Sequence, residues 1–231
     1  MLKHKIVFLF DVDNTLLDND RIQENLRDHI TTKVGAECQQ HYWEILEQLR
    51  SELGYVDYLG SLQRFRVAHP RDEGILEVSK YLIEYPFANR LYPGSIDAIE
   101  HVHKWGPAVI LSDGDAVFQP WKVHRSGLAE AVHNNFLVYI HKEQMLDEVE
   151  HHFPSEHYVM IDDKLRILDA MKRQWRERVT TVSVDQGHYA HNPQNLAQYP
   201  QGDLRIERIG ELAELSLADF HPDPESATRS N

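Results

Sequence analysis

Ile6-Val7-Phe8-Leu9-Phe10-Asp11-Val12-Asp13-Asn14-Thr15 is the stretch on which the fold turns. Its apolar run is too short for an amphipathic surface helix and suits a strand buried on both faces. Asp11 and Asp13 follow at once, so both stand at the C-terminal end of that strand, where open α/β sheets bind ligands. Carboxylates this close repel one another unless something positive sits between them. A divalent metal is therefore the first companion to look for. An Asp-x-Asp pair alone also occurs in ordinary loops, and the rest of the chain has to supply the context.

Outward from this stretch, no second buried strand follows until Pro107-Ala108-Val109-Ile110-Leu111. A βα connection needs far less chain. The intervening residues are helical in character: Trp43, Leu46 and Leu49, or Tyr42, Ile45 and Leu49, share a face, and Gly54 is a stop signal. Residues 17–90 are therefore expected to form a helical insertion, a cap, inside a core made of 1–16 and 91–220. From Leu91 the pattern alternates. Helices are expected over Ser95–Trp105, Ala116–Arg125, Glu143–His151 and Leu165–Trp175. Strands are expected at Ala108–Leu111, Phe136–Ile140, Tyr158–Ile161 and Val179–Val184, which ends the regular part. This is the signature of an α/β fold, a doubly wound parallel sheet with a Rossmann-like core. The tail, 221–231, is expected to be disordered.

The strand ends carry the chemistry. They read Asp11-Val12-Asp13, Ser112-Asp113-Gly114-Asp115, His141-Lys142 and Asp162-Asp163. Acidic groups from several strands at one rim suit Mg²⁺, which takes hard oxygen ligands. A hydroxyl and a lysine beside them would hold the oxygens of a phosphate. Lys122 competes with Lys142 for the lysine role. Lys142 is preferred, because it follows a strand directly whereas Lys122 lies within a helix.

With these residues in view, the chain resembles the haloacid dehalogenase-like phosphatases that carry a helical cap after the first motif. Phe10-Asp11-Val12-Asp13-Asn14-Thr15-Leu16 matches the family's Asp-x-Asp-x-Thr motif, Ile110-Leu111-Ser112 the second, Lys142 the third and Ile161-Asp162-Asp163 the fourth. Tyr92-Pro93-Gly94 and Ser126-Gly127-Leu128 resemble its connectors. The resemblance implies that Asp11 is the nucleophile and forms an aspartyl-phosphate. It implies that Asp13 protonates the leaving alcohol, activates the water and lends its main-chain carbonyl to the metal. Ser112 and Lys142 would bind the phosphate, and Asp162 and Asp163 would complete the Mg²⁺ shell with Asp11 and Asp13. Dehalogenases of this family lack an aspartate at the Asp13 position, so its presence implies a phosphatase. A phosphomutase is an alternative, as is a non-catalytic protein that binds a phosphorylated ligand. The family's phosphonate hydrolases use a cap lysine; Lys33 and Lys80 are the cap lysines here, in no recognisable context.

Composition narrows the partners. A net charge of −13 argues against nucleic acid but not against a small phosphorylated metabolite, whose charge one metal and one lysine can meet. The single cysteine, Cys38, fits a reducing compartment. The apolar run after Leu2-Lys3-His4-Lys5 is shorter than the ~7–15 residues of a signal peptide, and no segment reaches the roughly 20 apolar residues of a membrane span. The expectation is a cytoplasmic monomer or homodimer. Asp18, Asp20 and Asp28 read as helix caps or solvated residues, and Asp113 and Asp115 as turn formers. The 15 histidines lack zinc-site spacing. Arg64-Phe65-Arg66 reads either as a solvated helix face or as a cap site for an anionic substrate. Trp43, Tyr55 and Tyr58 read as cap core or pocket wall, and Lys164, Arg166, Lys172 and Arg173 as an exposed helix face.

Overall fold

Strand β1, His4–Phe10, is buried as its apolar run requires. Ile6, Phe8 and Phe10 enter one apolar cluster and Val7 and Leu9 the other, so both faces are covered. The computed structural model describes residues 3–71 and 73–220; the tail expected to be disordered, 221–231, lies outside them.

Four helices follow β1: α1 (Asn19–Val34), α2 (Ala36–Leu53), α3 (Tyr58–Ala68) and α4 (Gly74–Glu84). Asp18 caps α1 by accepting the Arg21 N–H at 2.9 Å, and Asp57 caps α3 through the Gly60 N–H at 2.6 Å. On α2, Tyr42, Trp43, Ile45, Leu46 and Leu49 all turn inward. Gly54 ends α2 at φ +83, and a Cβ there would meet the His141 ring at 2.6 Å. Both the left-handed backbone and the close approach require glycine. The chain enters and leaves the insertion side by side: Leu17 bridges Leu91, and the Asp18 N–H donates to the Arg90 carbonyl at 2.8 Å.

The core then alternates. Its elements are α5 (Ser95–Val102), β2 (Ala108–Asp113), α6 (Phe118–Arg125), α7 (Leu128–Ala131), β3 (Phe136–Tyr139), α8 (Leu146–His152), β4 (Ser155–Asp162), α9 (Leu165–Trp175) and β5 (Val179–Val184). The helices α5, α6 and α7 pack with the insertion on the Phe8 face, while α8 and α9 cover the Leu9 face. With a last strand, β6 (Leu204–Ile206), the sheet is doubly wound, its strand order is β3-β2-β1-β4-β5-β6 and every pairing is parallel. The chain runs from β1 outward through β2 and β3, then returns to β4 on β1's other side. That reversal opens a crevice beyond the C-terminal ends of β1 and β4.

The structure corrects several limits. α5 ends at Val102 rather than Trp105, α6 begins at Phe118, and β2 and β4 are longer than their apolar runs. Lys142–Gln144 form a 3-10 turn before α8. The regular part does not stop at Val184. It continues through α10 (Gly187–Ala190), α11 (Pro193–Gln198) and β6 (Leu204–Ile206). β6 is only three residues long and exposes Arg205, so it has no apolar run to read. Among the described residues no helix is long and apolar enough to cross a membrane.

Candidate active site

The loop after β1 is held by its own backbone. The Val12 carbonyl accepts the N–H groups of Thr15, Leu16 and Leu17 at 3.3, 3.0 and 3.0 Å. Asn14 turns the chain at φ +66, a conformation asparagine tolerates. Its Oδ1 then accepts the N–H groups of Asn19 and Asp20 at 3.0 and 3.1 Å. The Asp11 N–H donates to the Ile161 carbonyl at 3.0 Å, and Thr15 Oγ accepts the Asp163 N–H at 3.1 Å. These two bonds tie the ends of β1 and β4 together and set their carboxylates side by side.

Asp11, Asp162 and Asp163 present three carboxylate oxygens within 4.8 Å of one another, all buried. Lys142 Nζ, also buried, stands 2.5 Å from Asp11 Oδ1 and 2.7 Å from Asp162 Oδ2. One ammonium does not satisfy the group. Asp11 Oδ2 and both oxygens of Asp163 accept no hydrogen bond, and Asp162 Oδ2 meets Lys142 as an ion pair outside hydrogen-bond geometry. Burial pushes the Asp163 carboxyl well above its ordinary range, only partly offset by Lys164 and reinforced by the charges of Asp162 and Asp11. Burial also raises Asp162, against the pull of Lys142. Burial works against ionisation of Asp11 too, but Lys142 and Lys164 outweigh it and hold that carboxyl low. Buried oxygens without donors, hard and acidic and converging on one point, fit a divalent cation such as Mg²⁺.

Asp13 points elsewhere. Its side chain is outside that cluster, and its two oxygens lie 2.7 and 2.9 Å from Lys122 Nζ, which also donates to Asn19 Oδ1 at 3.3 Å. Both candidate lysines therefore reach the site, one beneath each aspartate of the first motif. Ser112 is buried at the end of β2, where its Oγ accepts from Gln119 Nε2 at 2.9 Å. Asp113 accepts the Lys142 N–H at 2.8 Å. Asp115 caps α6 by accepting the N–H groups of Val117 and Phe118 at 2.8 and 2.6 Å.

A cleft of about 640 Å³ lies between the insertion and the core, lined on the core side by Asp13, Lys122 and Lys164 among others. Lys164 belongs to the site rather than to an exposed helix face. It faces the carboxylates just before α9 begins, with Nζ 5.3 Å from the Tyr189 ring centroid. Arg166 lines the cleft as well and pairs with Glu143 at 2.6 Å. Neither Arg64 nor Arg66 lines it; Arg64 pairs with the exposed Glu52 at 2.8 Å, which leaves the solvated reading of that face. The arginines of the insertion that reach the cleft are Arg27 and Arg50. Lys33 and Lys80 are exposed and away from it. Tyr55 and Tyr58 line the wall, whereas Trp43 packs in the core of the insertion. Among the described residues, the three-aspartate cluster is the one group of metal-ligating type, and it contains no histidine.

His188 and Tyr189 carried no sequence signal. They reach the cleft on α10, where the His188 N–H and Nδ1 meet the Asp20 carboxylate at 2.8 and 2.6 Å and Tyr189 contacts Arg50. A side chain this far along the chain could be placed only by the sheet order.

A Rossmann-like sheet with an acid cluster at its switch point and a helical insertion over it defines a class of hydrolase. The chain belongs to the haloacid dehalogenase-like hydrolases, whose family model matches residues 7–173. A solved protein from Burkholderia xenovorans LB400, assigned to the haloacid dehalogenase-like hydrolases, is 55% identical. The match covers 94% of this chain and 98% of that one at a TM-score of 0.89. The L-2-haloacid dehalogenase of Xanthobacter autotrophicus is 15% identical, with 93% and 98% covered and a TM-score of 0.58. The HAD-hydrolase YfnB of Bacillus subtilis, solved bound to magnesium, is 18% identical, with 92% and 98% covered and a TM-score of 0.59. At 15% and 18% the likeness concerns the fold alone. No match was found among curated proteins.

Proposed function

We propose that this hydrolase is a Mg²⁺-dependent phosphatase that cleaves a small phosphorylated metabolite through an aspartyl-phosphate on Asp11. The observation that carries the reading is the Asp13 carboxylate, held at the cleft by Lys122 two residues after Asp11. A departing alcohol needs a proton, and a carboxyl group at the leaving-group side can supply it. A departing halide is stable as the free anion and needs none.

Asp11, Asp162 and Asp163, with the main-chain carbonyl of Asp13, would hold Mg²⁺, which when bound supplies positive charge for the oxygens of the transferring phosphoryl group. Asp11 attacks phosphorus and the ester oxygen departs with a proton from Asp13. Water then attacks the phosphorus of the aspartyl-phosphate, Asp13 takes up a proton from it, and Asp11 is restored as phosphate leaves. Ser112 and Lys142 hold the phosphoryl oxygens, and Lys142 also screens Asp11 from Asp162. Residues 17–90 act as the cap that keeps bulk water from the cleft. The only partner in this reading is the small substrate; the acidic surface suits no nucleic acid, and the setting is a cytoplasmic monomer or homodimer.

A panel of phosphorylated metabolites with Mg²⁺, scored by free phosphate, tests the reading, with halide release from 2-haloacids assayed in parallel. Phosphate release supports it; halide release alone contradicts it, and phosphorus NMR would expose an isomerised sugar phosphate from a mutase. Lys122→Met should lower kcat about tenfold or more, some 1.4 kcal/mol per decade, because Asp13 loses the group that positions it. Lys122→Arg should recover part of that loss. The effect should be largest for poor leaving groups, which depend most on Asp13.

A further inference from the structure

Most charged groups on the cap side of the cleft are paired with protein partners, and Arg27 lies over a ring. The Arg27 guanidinium lies 4.1 Å from the centroid of the Trp43 ring. Arg50 contacts the Tyr189 hydroxyl and stands 3.5 Å from Glu47, and Glu24 pairs with Arg21 at 2.7 Å. Asp20 is held by Asn14 and His188. Asp20, Glu24 and Glu47 also outnumber Arg27 and Arg50 on that wall. The net charge of this wall is therefore negative, which disfavours a second anionic group of a substrate.

One buried polar group on the wall is unpaired. Tyr58, at the first turn of α3, is 3% exposed and lines the cleft with Asp13 and Lys122. Its ring packs against Phe118 with centroids 5.3 Å apart, so the hydroxyl cannot swing away to bulk water. That buried hydroxyl has no hydrogen-bond partner. The side-chain amides of Asn19 and Gln23 stand beside it, neither at hydrogen-bond geometry, and the charge of Asp13 is close enough to act on it. A buried hydroxyl left unpaired is unfavourable, and the cleft is the direction from which a partner can come.

We propose that Tyr58 is a specificity-determining residue that hydrogen-bonds a neutral, hydroxyl-bearing leaving group, so the substrates are monophosphate esters of small polyhydroxy compounds rather than bisphosphates or phosphorylated carboxylic acids. The inference rests on the phosphatase reading and adds the identity of the group beyond the phosphate. A site built around a hydroxyl partner discriminates strongly against analogues that lack it, because its own polar group is then left unpaired.

The test is steady-state kinetics of the intact protein and of Tyr58→Phe. The substrates are glycerol phosphate, a hexose monophosphate, a hexose bisphosphate, a phosphorylated hydroxy acid and p-nitrophenyl phosphate. The intact protein should favour the neutral polyol esters. In Tyr58→Phe, kcat/KM for those esters relative to p-nitrophenyl phosphate should fall about tenfold or more. A second readout needs no variant: free glycerol or a hexitol should inhibit p-nitrophenyl phosphate turnover competitively. An unchanged ratio, a preference for the anionic esters, or no competition by polyols overturns the inference while p-nitrophenyl phosphate turnover leaves the phosphatase reading standing. Failure to cleave any phosphate ester overturns both.

Discussion

Asp11→Asn should keep its fold and lose turnover by at least about a thousandfold, since covalent catalysis without its nucleophile retains only binding and electrostatics. The amide matches the carboxylate in size and still offers an oxygen to Lys142, now 2.5 Å from Asp11 Oδ1. Lys142 keeps its ion pair with Asp162, so the fold should persist, with a lower melting temperature because the buried Asp11–Lys142 pair is lost. Circular dichroism and phosphate release on one preparation check both halves. Substantial phosphatase activity in a folded, uncontaminated sample would remove Asp11 from the nucleophile's role.

Removal of divalent metal should have an effect of similar size. After dialysis against a chelator, activity should vanish, return with Mg²⁺ and return poorly with Ca²⁺, whose longer bonds and higher coordination would misplace the phosphate. Stability gives a second readout that does not depend on turnover. A ligand bound only by the folded state stabilises it by about 2.7 kcal/mol at 100 times its dissociation constant, so Mg²⁺ should raise the melting temperature. Asp163→Asn should lose that response, and without metal it should be more stable than the parent. Its carboxylate is buried, accepts no hydrogen bond and is disfavoured as an anion by burial. Equal rates with and without metal, or a melting temperature indifferent to Mg²⁺, would argue against a metal at these aspartates.

Strands β1, β2 and β4 were legible because each carries an apolar run that only a two-sided environment explains. β5 and α9 begin and end as the sequence predicts, at Val179–Val184 and Leu165–Trp175. β6 was not legible: three residues with an exposed Arg205 are recruited by the open edge of β5 and not by their own pattern. The motif aspartates announce themselves because a carboxylate directly after a buried strand has few reasons to be there. The part played by Lys122 depends on how α6 is rotated against the loop after β1, which no local pattern encodes. The same limit hides Lys164, Arg50 and Tyr189, whose neighbours come from distant parts of the chain. Concentrated charge also misleads. Arg64 and Arg66 suggest a cap site for an anion, yet the pairing of Arg64 with Glu52 puts that face outside the cleft.

The measurement closest to the central claim is mass spectrometry of the peptide containing Asp11 after acid quenching during turnover. With Mg²⁺ and a phosphate ester that the protein cleaves, a phosphoryl increment should appear on Asp11, rise before free phosphate accumulates and be absent from Asp11→Asn. A 2-haloacid should leave no adduct. An alkyl ester on Asp11 formed from the haloacid, with halide released and no phosphoryl adduct from any phosphate ester, would contradict the phosphatase assignment and make the protein a dehalogenase.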